Sequence, residues 1–335
     1  MVAKSERGGR TFFASRPATV AVEIASDRVA AVSLADGGHE AVISAYAFEP
    51  LAAHVVEPSL NAANVHDQAA LQIAIQGVLE KVAPRARRIA LVLPDTVAKV
   101  SLVRFEKVPV KVQDLDQLIR WQVRKAAPFK IEDAQVAWVP GVQLPDGGRE
   151  FLVTTARRDV VAGYERVCEA AGVYAGVVDL ATFNVVNGVL ASGGGSGDWL
   201  LVHVAVDYAT LAVVRGSDLV FFRNRALRED VELTDLVHQT AMYHEDRLGG
   251  GGFSRVVLAG AWVRGLDAAE GLRRAIEERV GRRVEPIDFK GAASLRDRIT
   301  ANPALLDVLA PAVGLLLRER APHHGATATV TGRVA

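Results

Sequence analysis

Short apolar runs bounded by turn residues open the chain. TVAVEIA (19–25), DRVAAVSL (27–34) and EAVISAYAFEPL (40–51) read as three strands, the last two joined by the turn at Asp36-Gly37-Gly38. DQAALQIAIQGVLEKV then carries its apolar residues at helical spacing until Pro84 stops it. RIALVLP and KVSLVRFEKV are strands around an Asp95-Thr96 turn. The helix DLDQLIRWQVRKA follows, with Leu115, Leu118, Ile119 and Val123 as its apolar stripe, Asp114 as the expected N-cap and Asp116 near the positive helix end. VAWVPGVQL and REFLVTTARR pair across Asp146-Gly147-Gly148, and the helix RDVVAGYERVCEAAG closes at Gly172. Turn signals mark 88–174 as one compact α/β unit.

The pattern then starts again. After VVDLATFNVVNGVL and the joint GGGSG at 193–197, the runs WLLVHVAVDY, ATLAVVRG and SDLVFFRNRAL repeat the opening order of strands, though not its residues. A helix over LTDLVHQTAMYHEDRL precedes Gly249–Gly252. RVVLAGA, AAEGLRRAIEERVG and VEPIDF give strand, helix and short strand, and ALLDVLAPAVGLLLRERA is the final helix. The expected division is a first-lobe core of 18–87 and 175–192, joined by the helix at 303–320, an inserted subdomain at 88–174, and a second lobe at 198–302. Residues 1–17 and 321–335 are expected to be disordered.

Length supports this division, because 335 residues suit two lobes better than one minimal core. Lys plus Arg and Asp plus Glu number 39 each, so no basic excess points to nucleic acid. A single cysteine, Cys168, excludes an intrachain disulfide and a Cys-rich metal site, and its place in a helix makes it a small buried residue rather than a nucleophile. No apolar run reaches the roughly 18 residues a membrane span needs. The basic start lacks an apolar signal core. A cytoplasmic protein that meets a membrane only through a partner is the expectation.

Two strand-hairpin halves followed by helices, with an α/β insert in the first, describe the actin-like ATPase superfold. AYAFEPL, RIALVLPDTVAKVSLVRFEKVP, RWQVRKAAPFKIEDA and VTTARRDVVAGYERVCEAAGVYAGVVDLATF, in this order, resemble the type IV pilus assembly protein PilM family, relatives of the cell-division protein FtsA. The resemblance runs from about Thr19 to Arg320. It implies an α/β fold of two lobes with an inserted 1C-like subdomain. It also implies a cytoplasmic adaptor that binds the N-terminal cytoplasmic tail of a PilN-like inner-membrane protein in a groove between the first subdomain and the insert. The pilus motor ATPase or platform protein is a further implied partner.

Many members of the family bind ATP with Mg between the lobes, and this chain departs from their motifs. The family's first hairpin, roughly Asp-Ile-Gly-Ser-Ser-Ser-Ile-Lys, aligns with Glu23-Ile24-Ala25-Ser26-Asp27-Arg28-Val29-Ala30. Ala25 adds a Cβ where backbone should approach phosphate, Asp27 adds a negative charge, and Arg28 partly stands in for the lysine. In the second hairpin, His203-Val204-Ala205 lacks both the acidic residue and the glycine, with Asp207 displaced and Tyr208 crowding the turn. The adenosine loop keeps Gly260 and Gly265 but is shortened. Without the second carboxylate, metal-assisted hydrolysis lacks its base or ligand. The expectation is a degenerate site and no enzyme, with Glu23, Ser26 and Arg28 leaving open a structural ATP. The alternatives are an active actin-like ATPase of the pilus machine, or a type II secretion adaptor resembling the GspL cytoplasmic domain.

The remaining constellations have plain readings. Trp121 either extends its helix's stripe into the core, the favoured reading, or forms a partner groove with Arg124 that takes an extended peptide. His238 and Glu245 share a helix face without a third ligand, which makes them a solvated stripe, and His323-His324 is incidental. GGGSG and Gly249–Gly252 lack the Lys-Ser/Thr of a phosphate loop and are joints.

Overall fold

A computed structural model describes residues 17–37, 40–193, 197–227, 230–289, 291–296 and 302–320. Up to the glycine joint the chain runs β1 (Val20–Ile24), β2 (Arg28–Gly37), β3 (Glu40–Pro50), α1 (Gln68–Val82), β4 (Arg88–Leu93), β5 (Ala98–Phe105), α2 (Val112–Arg124), β6 (Ala134–Gln143), β7 (Arg149–Arg157), α3 (Arg158–Ala170), β8 (Tyr174–Leu180) and α4 (Ala181–Ala191). Beyond it come β9 (Asp198–Val204), β10 (Tyr208–Arg215), β11 (Asp218–Ala226), α5 (Asp230–Leu248), β12 (Arg255–Ala259), α6 (Leu266–Val280), β13 (Val284–Pro286), β14 (Ala293–Leu295) and α7 (Pro303–Arg320).

The first sheet has the order β14-β3-β2-β1-β4-β8 and the second β11-β10-β9-β12-β13. The strings β3-β2-β1-β4-β8 and β11-β10-β9-β12-β13 are built alike. In each, a meander of three antiparallel strands is continued beyond its first strand by two parallel ones. β1 is buried along its whole length, as a central strand covered on both faces must be. α1 packs on β2, β3 and α3, while α4 and α7 pack on each other and on the same sheet. Asp67 caps α1 by accepting from Ala70 N at 2.9 Å. Leu71, Ile75, Val78 and Leu79 then bury one face of that helix.

The inserted unit is narrower than the 88–174 read from turn signals. β4 lies inside the first sheet, parallel to both β1 and β8. α3 puts Val160, Val161, Tyr164 and Val167 into the first-lobe core. The insert is therefore residues 98–157: the sheet β5-β7-β6 with α2 laid on it around Val103, Leu115, Ile119, Val123, Phe151 and Val153. Its α2 begins at Val112 with Lys111 at the N-cap, so Asp114 sits in the first turn and caps nothing. β14 adds to β3, which returns residues 293–295 to the first lobe from the stretch expected in the second. The turn partner Gly38, most of GGGSG and the expected disordered ends lie outside the described residues, apart from Pro17.

α4 and α7 are buried on nearly every side. They share one apolar core with the first sheet and with Trp199, Leu201, Ala212 and Val257 of the second. The two helices approach closely where Gly188 of α4 faces Gly314 of α7. At the far end of α7, Arg318 forms a fully buried ion pair with Asp179 of β8. Burial pushes the Asp179 carboxyl up to about 6 even with Arg318 beside it, which leaves it ionised at neutral pH.

Candidate functional site

The equivalent hairpins of the two lobes face each other. In each, the residue before the turn donates its N–H back across it: Ala25 N to Arg28 O at 2.9 Å, and Ala205 N to Tyr208 O at 2.8 Å. Between them lies a concavity lined by Glu23, Ala25, Ser26, Asp27, Arg28, Pro94, residues 203–208, Gly260, Val263 and Asp307. Four of the sequence candidates, Glu23, Ser26, Arg28 and Gly260, come together here. The fifth, Gly265, stands apart at the N-cap of α6 with φ 97°.

The chain's own side chains fill this concavity. Its volume is about 20 Å³, and one water needs about 10–15 Å³ on the same measure. The Arg28 guanidinium is held by Asp27, with Nη1 to Oδ1 at 3.0 Å and to Oδ2 at 3.2 Å. Glu23 Oε2 lies 3.9 Å from Arg28 Nη2 and accepts no hydrogen bond. Burial pushes Glu23 up to about 7, outweighing the pull of Arg28. Asp307, unmarked in the sequence, accepts from Trp262 N at 2.7 Å, and burial raises it to about 7 as well. His203 is buried and burial holds it near 3, so it is neutral. Gly260 has φ 82°, and a Cβ there would stand 1.9 Å from the Val204 carbonyl oxygen.

Toward a magnesium nucleotide the described lining offers one cation, Arg28, already engaged by carboxylates, and the acidic position of the second hairpin holds a neutral imidazole. Among the described residues no group of three or more His, Cys, Asp or Glu could hold a metal, and His238 and Glu245 are both exposed. Burial pushes the Cys168 thiol up to about 12, far from a nucleophile's range.

A second concavity is open. It lies between the insert and α3, has a volume of about 470 Å³, and is lined by Phe129, Asp133, Arg157, Arg158, Asp159 and Ala162. Its walls are tied in place. Arg157 Nε donates to Asp159 Oδ1 at 2.9 Å, and its Nη1 donates to the Asn61 carbonyl. Arg158 Nη2 donates to Ala134 O at 3.2 Å. The sequence candidates Trp121 and Arg124 are not among the lining residues. Trp121 is 61% exposed, with Lys125 Nζ 5.9 Å from its ring, which overturns the favoured core placement. The stripe of Leu115, Ile119 and Val123 is narrow, and Trp121 falls on the opposite side of α2. The groove residues Phe129 and Asp133 do belong to the motif that carries Trp121, and Arg157, Arg158 and Asp159 belong to TTARRD.

Two sheets of matching strand order, facing hairpins, and a subdomain inserted between β4 and α3 define an actin-like ATPase fold. The family model for type IV pilus assembly protein PilM matches residues 21–246, and the chain belongs to that family. A solved PilM-PilN type IV pilus biogenesis complex matches with a TM-score of 0.79 at 18% identity, covering 92% of this chain and 100% of that one. A Bacteroides thetaiotaomicron protein of actin-like ATPase fold matches at 0.48 with 9% identity, over 85% of this chain and 97% of that one. The cytoplasmic domain of EpsL, an inner-membrane component of the Vibrio cholerae type II secretion system, matches at 0.47 with 11% identity, over 93% and 98%. No curated protein matches the chain. Among the described residues no helix is long and apolar enough to cross a membrane.

Proposed function

We propose that this chain is a cytoplasmic adaptor of type IV pilus assembly, brought to the inner membrane by a PilN-like protein whose N-terminal cytoplasmic tail it holds between the insert and α3. The observation that carries the reading is the contrast between the two concavities, about 470 Å³ beside the insert against about 20 Å³ between the lobes. Ligand sites are commonly a few hundred Å³ or more. A tail lying in the groove would set an apolar side chain against Phe129 and meet Arg157, Arg158, Asp133 and Asp159 with its polar groups. The wall hydrogen bonds keep the groove formed in the free protein, which lowers the ordering cost of binding. The partner named in the solved complex above supports the choice of ligand.

The same reading makes nucleotide binding weak or lost and the protein no enzyme. Calorimetric titration with Mg-ATP is expected to give no saturable heat, and low-micromolar binding would overturn this part. Titration with the N-terminal cytoplasmic peptide of the PilN-like protein is expected to show one site. Ala162→Trp, which puts an indole into the groove, should weaken that site at least about a hundredfold, or ~2.7 kcal/mol, with an unchanged melting curve. Undiminished affinity in a folded Ala162→Trp variant would remove the groove from consideration.

A further inference from the structure

Asp95 read as an ordinary turn residue in the sequence, and it is fully buried. It sits at the neck where β4 passes into β5 of the insert, in a single 3-10 turn at Asp95–Val97. Its carboxylate has hydrogen-bond donors on both sides of the lobe boundary. From the first lobe, Thr182 donates its backbone N–H to Oδ1 at 3.0 Å and its hydroxyl to Oδ2. From the second lobe, Thr210 Oγ1 donates to the same Oδ2 at 2.6 Å. The Asp95 N–H reaches across in turn, to Tyr208 Oη at 3.3 Å.

Burial raises the Asp95 pKa, and its hydrogen bonds from Thr182 and Thr210 pull it back; with Asp95 as the carboxylate, donor accounting fixes the direction of the whole chain of bonds. Each threonine hydroxyl owns one hydrogen and gives it to Asp95, so each must accept from its other neighbour. Thr210 Oγ1 accepts from Asn224 Nδ2 at 2.9 Å. Thr182 Oγ1, 2.7 Å from His203 Nδ1, accepts there, which assigns the neutral imidazole its proton on Nδ1. Asn224 and Thr210 thus point inward from one lobe, His203 points through Thr182, and all of them end on one carboxylate. Among the described residues no cation pairs with Asp95. What offsets its charge is the N-terminus of α4, where Thr182 is the second helical residue. The N-cap there is Leu180, which supplies no side-chain bond, so Asp95 serves as the missing cap from 87 residues away.

We propose that Asp95 is an inter-lobe latch, holding the two lobes at the angle they have in this structure through the chain's own hydrogen bonds where other proteins of this fold would use a nucleotide. The placement also ties in the insert, since β11 of the second lobe packs against the same 3-10 turn and against β5 and β6. Only the latch's role in place of a nucleotide rests on the reading of the lobe cleft as nucleotide-free; the hydrogen bonds that join the lobes do not. The latch does not depend on what the groove beside α3 binds.

The test uses the full chain with spin labels on cysteines placed at Glu80 of α1 and Glu278 of α6, both exposed, and pulsed-dipolar distances between them. The unmodified network is expected to give one narrow distribution, unchanged by millimolar Mg-ATP. Asp95→Asn places an amide donor among donors and should add a longer-distance population. Thr210→Val removes one donor while keeping shape, and should broaden the distribution even if Asp95→Asn does not fold. A Thr210→Val distribution that superimposes on the parent overturns the latch. So does a parent distribution that narrows or shortens with Mg-ATP. Calorimetric Mg-ATP binding with no distance change would instead overturn the degenerate-site reading and leave the latch standing.

Discussion

Gly314→Ala is expected to destabilise the protein by about 3 kcal/mol, the upper end of the usual cost of overpacking. Helix propensity alone argues the reverse, since alanine is worth about 1 kcal/mol more than glycine inside a helix. The crossing of α7 over α4 decides the sign. A Cβ at position 314 would stand 1.8 Å from the Asn184 carbonyl oxygen and 2.6 Å from its carbon. Those atoms belong to the backbone of a buried helix and cannot swing aside as a side chain could. Gly271 of α6 is the internal control, because a Cβ there meets nothing within 4 Å. Gly271→Ala should therefore raise the denaturation midpoint while Gly314→Ala lowers it. Equal shifts in the two variants would show that the helix crossing is not as tight as described.

Arg318→Met is expected to cost about 3–5 kcal/mol, the usual penalty for stranding one member of a buried ion pair. The Asp179 and Arg318 side chains are 0% and 3% exposed, so water cannot take over from the lost guanidinium. The Leu180 N–H, at 2.8 Å from Asp179 Oδ1, remains as a neutral partner. Adding Asp179→Asn to Arg318→Met should recover most of the loss, because the double variant buries no charge. The loss should also depend on pH. Without Arg318 the folded-state pKa of Asp179 rises further above its unfolded value, so stability is retained at low pH and lost as pH rises through the folded pKa. Chemical denaturation near about pH 5 and near about pH 8 should show the larger deficit at the higher pH. A double variant as unstable as the single one would mean that packing of the Arg318 stem, not its charge, was lost.

Both positions are invisible as such in the sequence, and the reason is general. Apolar runs and turn residues are local, so the strands, most helix limits and the doubled strand order could be read from them. Which sheet a strand joins is set by partners far along the chain. RIALVLP looks the same whether it starts an insert or fills the gap between β1 and β8, and that ambiguity moved the insert boundary. β14 is only three residues long and has no period to detect. Asp95 looked like turn punctuation because Thr182 and Thr210, which give it meaning, lie 87 and 115 residues away. The groove was half legible. Its residues lie in two stretches that carried the family resemblance, but pairing 129–133 with 157–162 needed the fold. The size of Trp121 suggests a core residue, whereas the narrow apolar stripe of Leu115, Ile119 and Val123 on α2 sets where it points.

β14 and α7 return the chain to the first lobe after the second is complete, so the second lobe is nested inside the first. During vectorial synthesis the second lobe, with its own core around Leu200, Val237, Val256 and Ile276, has all its strands by Pro286. The first lobe, begun at Val20, must wait for α7, whose last residue is Arg320. A chain truncated between β13 and α7 therefore carries a finished second lobe on an open first lobe, with the apolar bed of α7 uncovered and prone to aggregate. The order of synthesis and the order of completion run in opposite directions along this chain.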